Sequence, residues 1–138
     1  MAKDKIFSSL LITTEENILV QDTGDKRMKL PSIAKKTNQS IQQSASHFAA
    51  GLHKQLKVGG ILFVVEDLAE VKGFFSTTQV NATSFVFNVR NHDEFKVKKP
   101  FVWLSFDHLD QLDIADELKQ IIVSNQVIKS SVPLINLH

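Results

Sequence analysis

From residue 26 to residue 65 the chain runs 40 residues without an Asp or a Glu, bounded by Asp25 and Glu66. The same window holds seven bases: Lys26, Arg27, Lys29, Lys35, Lys36, Lys54 and Lys57. The whole chain has 16 bases and 15 acids, so nine bases and all 15 acids lie elsewhere. The window therefore carries +7 and the remainder −6, beneath a net charge of +1. Grouped cations of this kind suit phosphate oxygens, which a lysine meets as a point charge. Arg27, Lys35, Lys36 and Lys54 are the bases that could hold an anionic ligand directly. The same charges oppose a metal cation by about 1 kcal/mol per pair of unit charges at close range in water.

Other reactive side chains are less well grouped. Asp107, His108 and Asp110 do not converge on one helical turn, and with Ser105 they read as a capped turn. His47 and His53 stand six apart, which is not the three- or four-residue spacing of helical neighbours. His92, Asp93 and Glu94 fall in a polar, solvated loop. The chain has no Cys, which excludes disulfides, thiolate zinc sites and a cysteine nucleophile. No Ser-His-Asp order, glycine-rich phosphate loop or dinucleotide fingerprint occurs. Trp103 and the ten Phe residues read as core, not as a base-stacking platform.

These residues must be placed by one domain, since 138 residues build a proper core but not two ordinary ones. With 43% hydrophobic and 22% charged residues the composition is that of a soluble globular chain. The near-neutral total argues against a dedicated nucleic-acid binder. The start, MAKDKIFSSLLITTEEN, has an apolar run too short for a signal peptide or membrane span, and a cytoplasmic location is expected.

The patterning predicts strands, helix, strands, helix. Ile6 to Ile12, a polar turn, and Ile18 to Gln21 form a hairpin, followed by a second turn at Asp22 to Lys26 and a short edge segment before Pro31. Ser40 and Gln43 fit a capping box, and Ile41, Ala45, Phe48, Leu52 and Leu56 make one apolar stripe of the helix behind it. Ala49, Ala50 and Gly51 read as filler, and Gly59-Gly60 is expected to end this unit. Ile61 to Val65 is a strand, Glu66 to Ser76 a connection, and Val80 to Val89 an alternating strand. In that strand Thr83, Phe85, Phe87 and Val89 face one side. After a charged loop, Phe101 to Phe106 is a strand, and Asp113 opens a last helix that buries Ile114, Leu118, Ile121 and Ile122. The order predicts an α+β domain with helices packed on a mixed β-sheet.

That order resembles the Nudix hydrolase family over roughly residues 5 to 128, leaving a tail at 129 to 138. The likeness rests on Leu30-Pro31 before the first helix, the aromatic strand Ser84 to Val89, and Phe101-Val-Trp-Leu-Ser before the last helix. It implies a single α/β/α sandwich and a pyrophosphate hydrolase that holds divalent metal on glutamates of a loop and helix. In the family that segment runs glycine, five residues, Glu, seven residues, then Arg-Glu and a later Glu-Glu. Here Ser32 and Ile33 replace the glycines and Gln39 replaces the first Glu. The Arg-Glu falls on His47-Phe48 or, one residue earlier, on Ser46-His47. The Glu-Glu falls on Gly51-Leu52 or Ala50-Gly51, and neither register supplies a Glu.

Magnesium and manganese need hard anionic oxygens, so the expected site has no catalytic residues and no metal. What remains is a binding domain for a nucleotide, another phosphorylated small molecule or a protein partner, with Arg27, Lys35, Lys36, Gln39, His47 and Lys54 as ligand-binding residues. The resemblance also makes a homodimer an expected state. The alternative is a divergent Nudix hydrolase acting on a nucleoside diphosphate linked to another moiety. In that case Glu66, Glu70 and Glu94 would be the substitute ligands for magnesium or manganese. Glu94 has the stronger claim, because some members of the family carry a catalytic carboxylate in the late loop.

Overall fold

A computed structural model describes residues 5–24, 28–72, 75, 77–90, 93–114, 116, 119–120 and 122–123, with the backbone alone at 67–72, 77–80 and 90. The strands are β1 (Lys5–Thr13), β2 (Asn17–Asp22), β3 (Met28–Lys29), β4 (Ser32–Ala34), β5 (Val58–Lys72), β6 (Thr77–Arg90) and β7 (Phe101–Ser105). Helix α1 spans Ile41–Leu52, and a 3-10 turn spans Phe106–Gln111. Most strand pairs are antiparallel, and a parallel bridge between Met28 and Leu112 makes the pairing mixed. The fold is thus α+β with a mixed sheet, as the patterning predicts. No described helix is long and apolar enough to cross a membrane.

The chain divides into two compact units. The first takes Met1–Ile12 and Pro31–Asn91. In it β1 lies beside β6, β6 beside β5, and β4 pairs with β1 through Phe7–Ala34, Ser8–Ile33 and Ser9–Ser32. Helix α1 packs on β4 and β5. Leu10, Leu11 and Ile12 are all fully buried, the continuous apolar pattern of a strand covered on both faces. Ala45 and Ala49 of α1 and Val86, Phe87 and Val89 of β6 complete this core.

The second unit takes Thr13–Leu30 and His92–His138. Thr13 faces Ile18 across the hairpin turn, and β2 carries β7 along Asn17–Ser105 to Gln21–Phe101. Its core holds Ile18, Leu19, Val20, Leu104, Leu109, Leu112 and Ile122. Trp103 donates from Nε1 to the Phe95 carbonyl at 3.0 Å and meets the Phe95 ring edge to face, with centroids 5.2 Å apart. Ser105 caps the 3-10 turn by accepting from the Asp107 amide at 3.2 Å, the capped turn expected there. Asp116, Lys119, Gln120, Ile122 and Val123 are helical, with Ile122 buried. Leu118, Ile121 and the tail at 129–138 lie outside the described residues.

Three details depart from the sequence reading. Glu66 to Lys72 is strand and not connection: Glu66 pairs with Thr83 and Lys72 with Thr77. No Gly or Pro interrupts 66–72, and Thr77, Thr78 and Val80 opposite are β-branched, so the ladder continues past the apolar run. Gly59 and Gly60 sit inside β5 and do not precede it, at register shifts between Val58, Ile61 and Phe63. A side chain on Gly59 would stand 3.1 Å from the Asn88 carbonyl oxygen, so glycine permits that approach. Ala49 is fully buried and so is no filler; its small side chain sits on the face of α1 that meets the strands.

Candidate functional site

Helix α1 and the loop before it frame a polar pocket in the first unit. Pro31 accepts from the Leu10 amide at 2.9 Å, and the Lys35 amide donates to Ile6 at 2.8 Å, so the loop leaves the sheet at a fixed point. Ser40 is the N-cap, and the capping box forms as its residues predict. Its hydroxyl accepts from the Gln43 amide at 3.1 Å, and its own amide donates to Gln43 Oε1 at 2.8 Å. Ser8 Oγ donates to the Ile41 carbonyl at 2.8 Å and ties the first turn of α1 to β1.

The helix stands with Ser44, Ala45 and Ala49 inward, and Ile41, Phe48 and Leu52 half-buried beside them. Gln42, Gln43, Ser46, His47, Ala50 and Gly51 are exposed. A concave site of about 390 Å³ is lined by Asn38, Gln39, Gln42, Gln43, Ser46 and His47. Within it Gln39 Nε2 lies 3.1 Å from His47 Nδ1, and Ser44 Oγ donates to Gln39 Oε1 at 3.2 Å. Neither the first nor the last turn of α1 carries a countercharge to its dipole.

The anticipated ligand residues are therefore only partly assembled. Gln39 and His47 meet in the pocket wall. Lys35 is half-buried and turns its Nζ to the Lys36 carbonyl at 3.3 Å, while Lys36 is exposed, and neither lines the pocket. Lys54 is exposed beyond the C-terminal end of α1 and does not line the pocket. Arg27 lies outside the described residues. Glu66 is exposed on β5, and only the backbone of Glu70 is described. Glu94 belongs to the second unit, where its carboxylate accepts from the Asn17 side-chain nitrogen Nδ2.

Sequence reasoning missed Ser44, Asn38 and Gln42. Ser44 falls beside the apolar stripe and its hydroxyl looks like helix filler in the pattern. Its bond to a residue five positions earlier, outside the helix, is the feature that gives it a role. Among the described residues no group of three or more His, Cys, Asp or Glu could hold a metal ion.

No protein-family profile matches the chain, and no curated protein matches it by sequence. Solved structures do. The chain is similar to the E. coli dihydroneopterin triphosphate pyrophosphohydrolase, with a TM-score of 0.65 and 13% identity, covering 88% of this chain and 94% of that one. It is similar to a C. elegans Ap4A hydrolase, with a TM-score of 0.60 and 13% identity over 95% of this chain and all of that one. It is also similar to MutT, described as a Nudix-family hydrolase, from methicillin-resistant Staphylococcus aureus 252. There the TM-score is 0.57 with 18% identity, again over 95% of this chain and all of the other. At such identities the likeness is one of architecture, and it covers most of the chain. The chain has the fold of the Nudix hydrolases.

Proposed function

We propose that this chain is a Nudix-fold binding domain that takes a nucleotide or another phosphorylated small molecule in the α1 pocket without a divalent metal. The observation that carries the reading is the donor set of that pocket: Asn38, Gln39, Gln42, Gln43, Ser46 and His47, all without a carboxylate. Magnesium and manganese are held by anionic oxygens. Amide carbonyls, one hydroxyl and one imidazole do not fit such an ion, and no step of a metal-assisted hydrolysis is derived from them. Neutral amides and a histidine nitrogen do suit phosphate oxygens, and the exposed Lys36 adds a favourable field near the start of the helix.

The test is isothermal titration with ADP and with inorganic pyrophosphate, first in EDTA and then in excess magnesium. Binding in EDTA, unimproved by magnesium, is the expected result. Binding that appears on adding metal overturns the reading, as does turnover of nucleoside triphosphates or ADP-ribose with magnesium or manganese. Loss of that turnover in Glu66→Gln, Glu70→Gln or Glu94→Gln would assign a metal site to those residues instead.

A protein partner, a second copy of this chain included, is the second reading. It draws on exposed Ile61, Leu62 and Val64, which stand 51%, 41% and 49% accessible on β5, the last strand in the sheet path. Sedimentation velocity that finds monomer alone at high concentration would remove the homodimer.

A further inference from the structure

The hydrogen bonds around α1 do more than hold the loop, because they consume acceptors selectively. We infer that buried Ser44 sets the hydrogen-bond polarity of the pocket, through Gln39 and His47, so that the pocket offers donors to an oxyanion. This rests on the phospho-ligand reading above and names the part of the ligand that is read.

The chain of bonds begins at Ser44, which is 3% exposed and gives its hydroxyl proton to Gln39 Oε1 at 3.2 Å. With its oxygen turned to Ser44, the Gln39 amide points its nitrogen at His47, and Nε2 donates to Nδ1 at 3.1 Å. An imidazole that accepts at Nδ1 carries its proton on Nε2 when neutral. Gln43 follows the same pattern, since its Oε1 is taken by the Ser40 amide at 2.8 Å and its NH2 is left over. Three acceptors are thereby satisfied within the protein: Gln39 Oε1, Gln43 Oε1 and His47 Nδ1. The groups left for a ligand are the second N–H of Gln39, the NH2 of Gln43 and the Nε2–H of His47. A phosphate oxygen accepts from all of these, while Asn38, Gln42 and Ser46 in the same wall can turn either a donor or an acceptor to a ligand, so the fixed part of the pocket is the donor part. Ser44 is thus a positioning residue that acts through Gln39 on His47.

The rival arrangement rotates the Gln39 amide by half a turn. Its nitrogen then donates to Ser44, its oxygen accepts from His47, and the imidazole proton moves to Nδ1. Long-range proton–nitrogen correlation spectra of the full chain, recorded above the range in which imidazole titrates, distinguish the two. His47→Gln identifies the His47 signals. The expected spectrum shows a bare Nδ1 and a protonated Nε2 in the wild type. A protonated Nδ1 overturns the inference even if pyrophosphate binds.

The role of Ser44 is tested by Ser44→Ala, which should mix the two tautomers and weaken inorganic pyrophosphate about tenfold, the worth of one misdirected donor to a charged acceptor. Ser44→Thr restores the hydroxyl and should return the tautomer. Gln39→Glu changes an exposed-side group without changing its size. Its carboxylate accepts from both neighbours, so the His47 proton should move to Nδ1 and binding should fall by about tenfold or more. An unchanged His47 tautomer in Ser44→Ala would overturn the role of Ser44, and an unchanged tautomer in Gln39→Glu would overturn the link from Gln39 to His47. If the tautomers behave as expected and neither pyrophosphate nor ADP binds, the polarity stands and the phospho-ligand reading fails.

Discussion

Replacing Ser40 by Ala probes whether the pocket-bearing helix depends on its cap. Two bonds are at stake: the Gln43 amide to the Ser40 hydroxyl at 3.1 Å, which the substitution removes, and the Ser40 amide to Gln43 Oε1 at 2.8 Å, which it leaves. Loss of an N-cap side chain costs about 1 kcal/mol, with a range of roughly 0.5 to 2. Two features bear on where in that range the effect falls. Ser40 is exposed, so water replaces part of the lost bond, which lowers the cost. The first turn of α1 has no acidic residue, so no other side chain offsets its dipole, which raises it. The expectation is about 1 kcal/mol, corresponding to a fall in Tm of about 3 to 6 °C for a chain of this size. Urea unfolding followed by circular dichroism should show a lower midpoint with the slope unchanged. Gln43→Ala alone should cost less, and the double variant less than the sum of the two, with a coupling of about 0.5 kcal/mol because the bonds are reciprocal. A Ser40→Ala protein within about 0.3 kcal/mol of the wild type, or strict additivity in the cycle, would refute the argument that this box sets the start of α1.

Two glycines should respond in opposite directions. Gly59→Ala drives a Cβ to 3.1 Å from the Asn88 carbonyl oxygen, a backbone atom held in β6, and should destabilise by about 1 kcal/mol in urea unfolding. Gly51→Ala meets nothing within 4 Å on an exposed turn of α1 and should stabilise by about 0.5 to 1 kcal/mol through helix propensity. Trp103→Phe removes the 3.0 Å hydrogen bond from Nε1 to the Phe95 carbonyl and part of the edge-to-face contact, so a loss of about 1 to 2 kcal/mol is expected in the same assay.

Much of the site's frame is legible in the chain because it depends on local chemistry. Ser40 and Gln43 form their box because three residues of helix bring them together whatever surrounds it. Ser105 caps its turn for the same reason. The hairpin of β1 and β2 follows from two apolar runs about a polar turn. The acid-free window is a property of composition alone and already argues against a hard-metal site.

What the chain by itself left open depends on partners outside the local period of a helix or strand. The strand Ser32–Ala34 exists because β1 is beside it, with Ser9 and Ser32 hydroxyls 2.6 Å apart, and nothing in three residues announces it. Glu66 to Lys72 looks like a loop by charge and is strand by pairing, since the Thr77–Thr83 backbone satisfies its amides and carbonyls. Gln39, Ser44 and His47 follow no single period, because Gln39 precedes the helix and folds back over it. Local spacing determined the helix and its cap, and composition alone the absence of carboxylates. Tertiary structure alone decided which neutral side chains meet, because a hydrogen bond between a loop and a helix forms only where the sheet holds both in place.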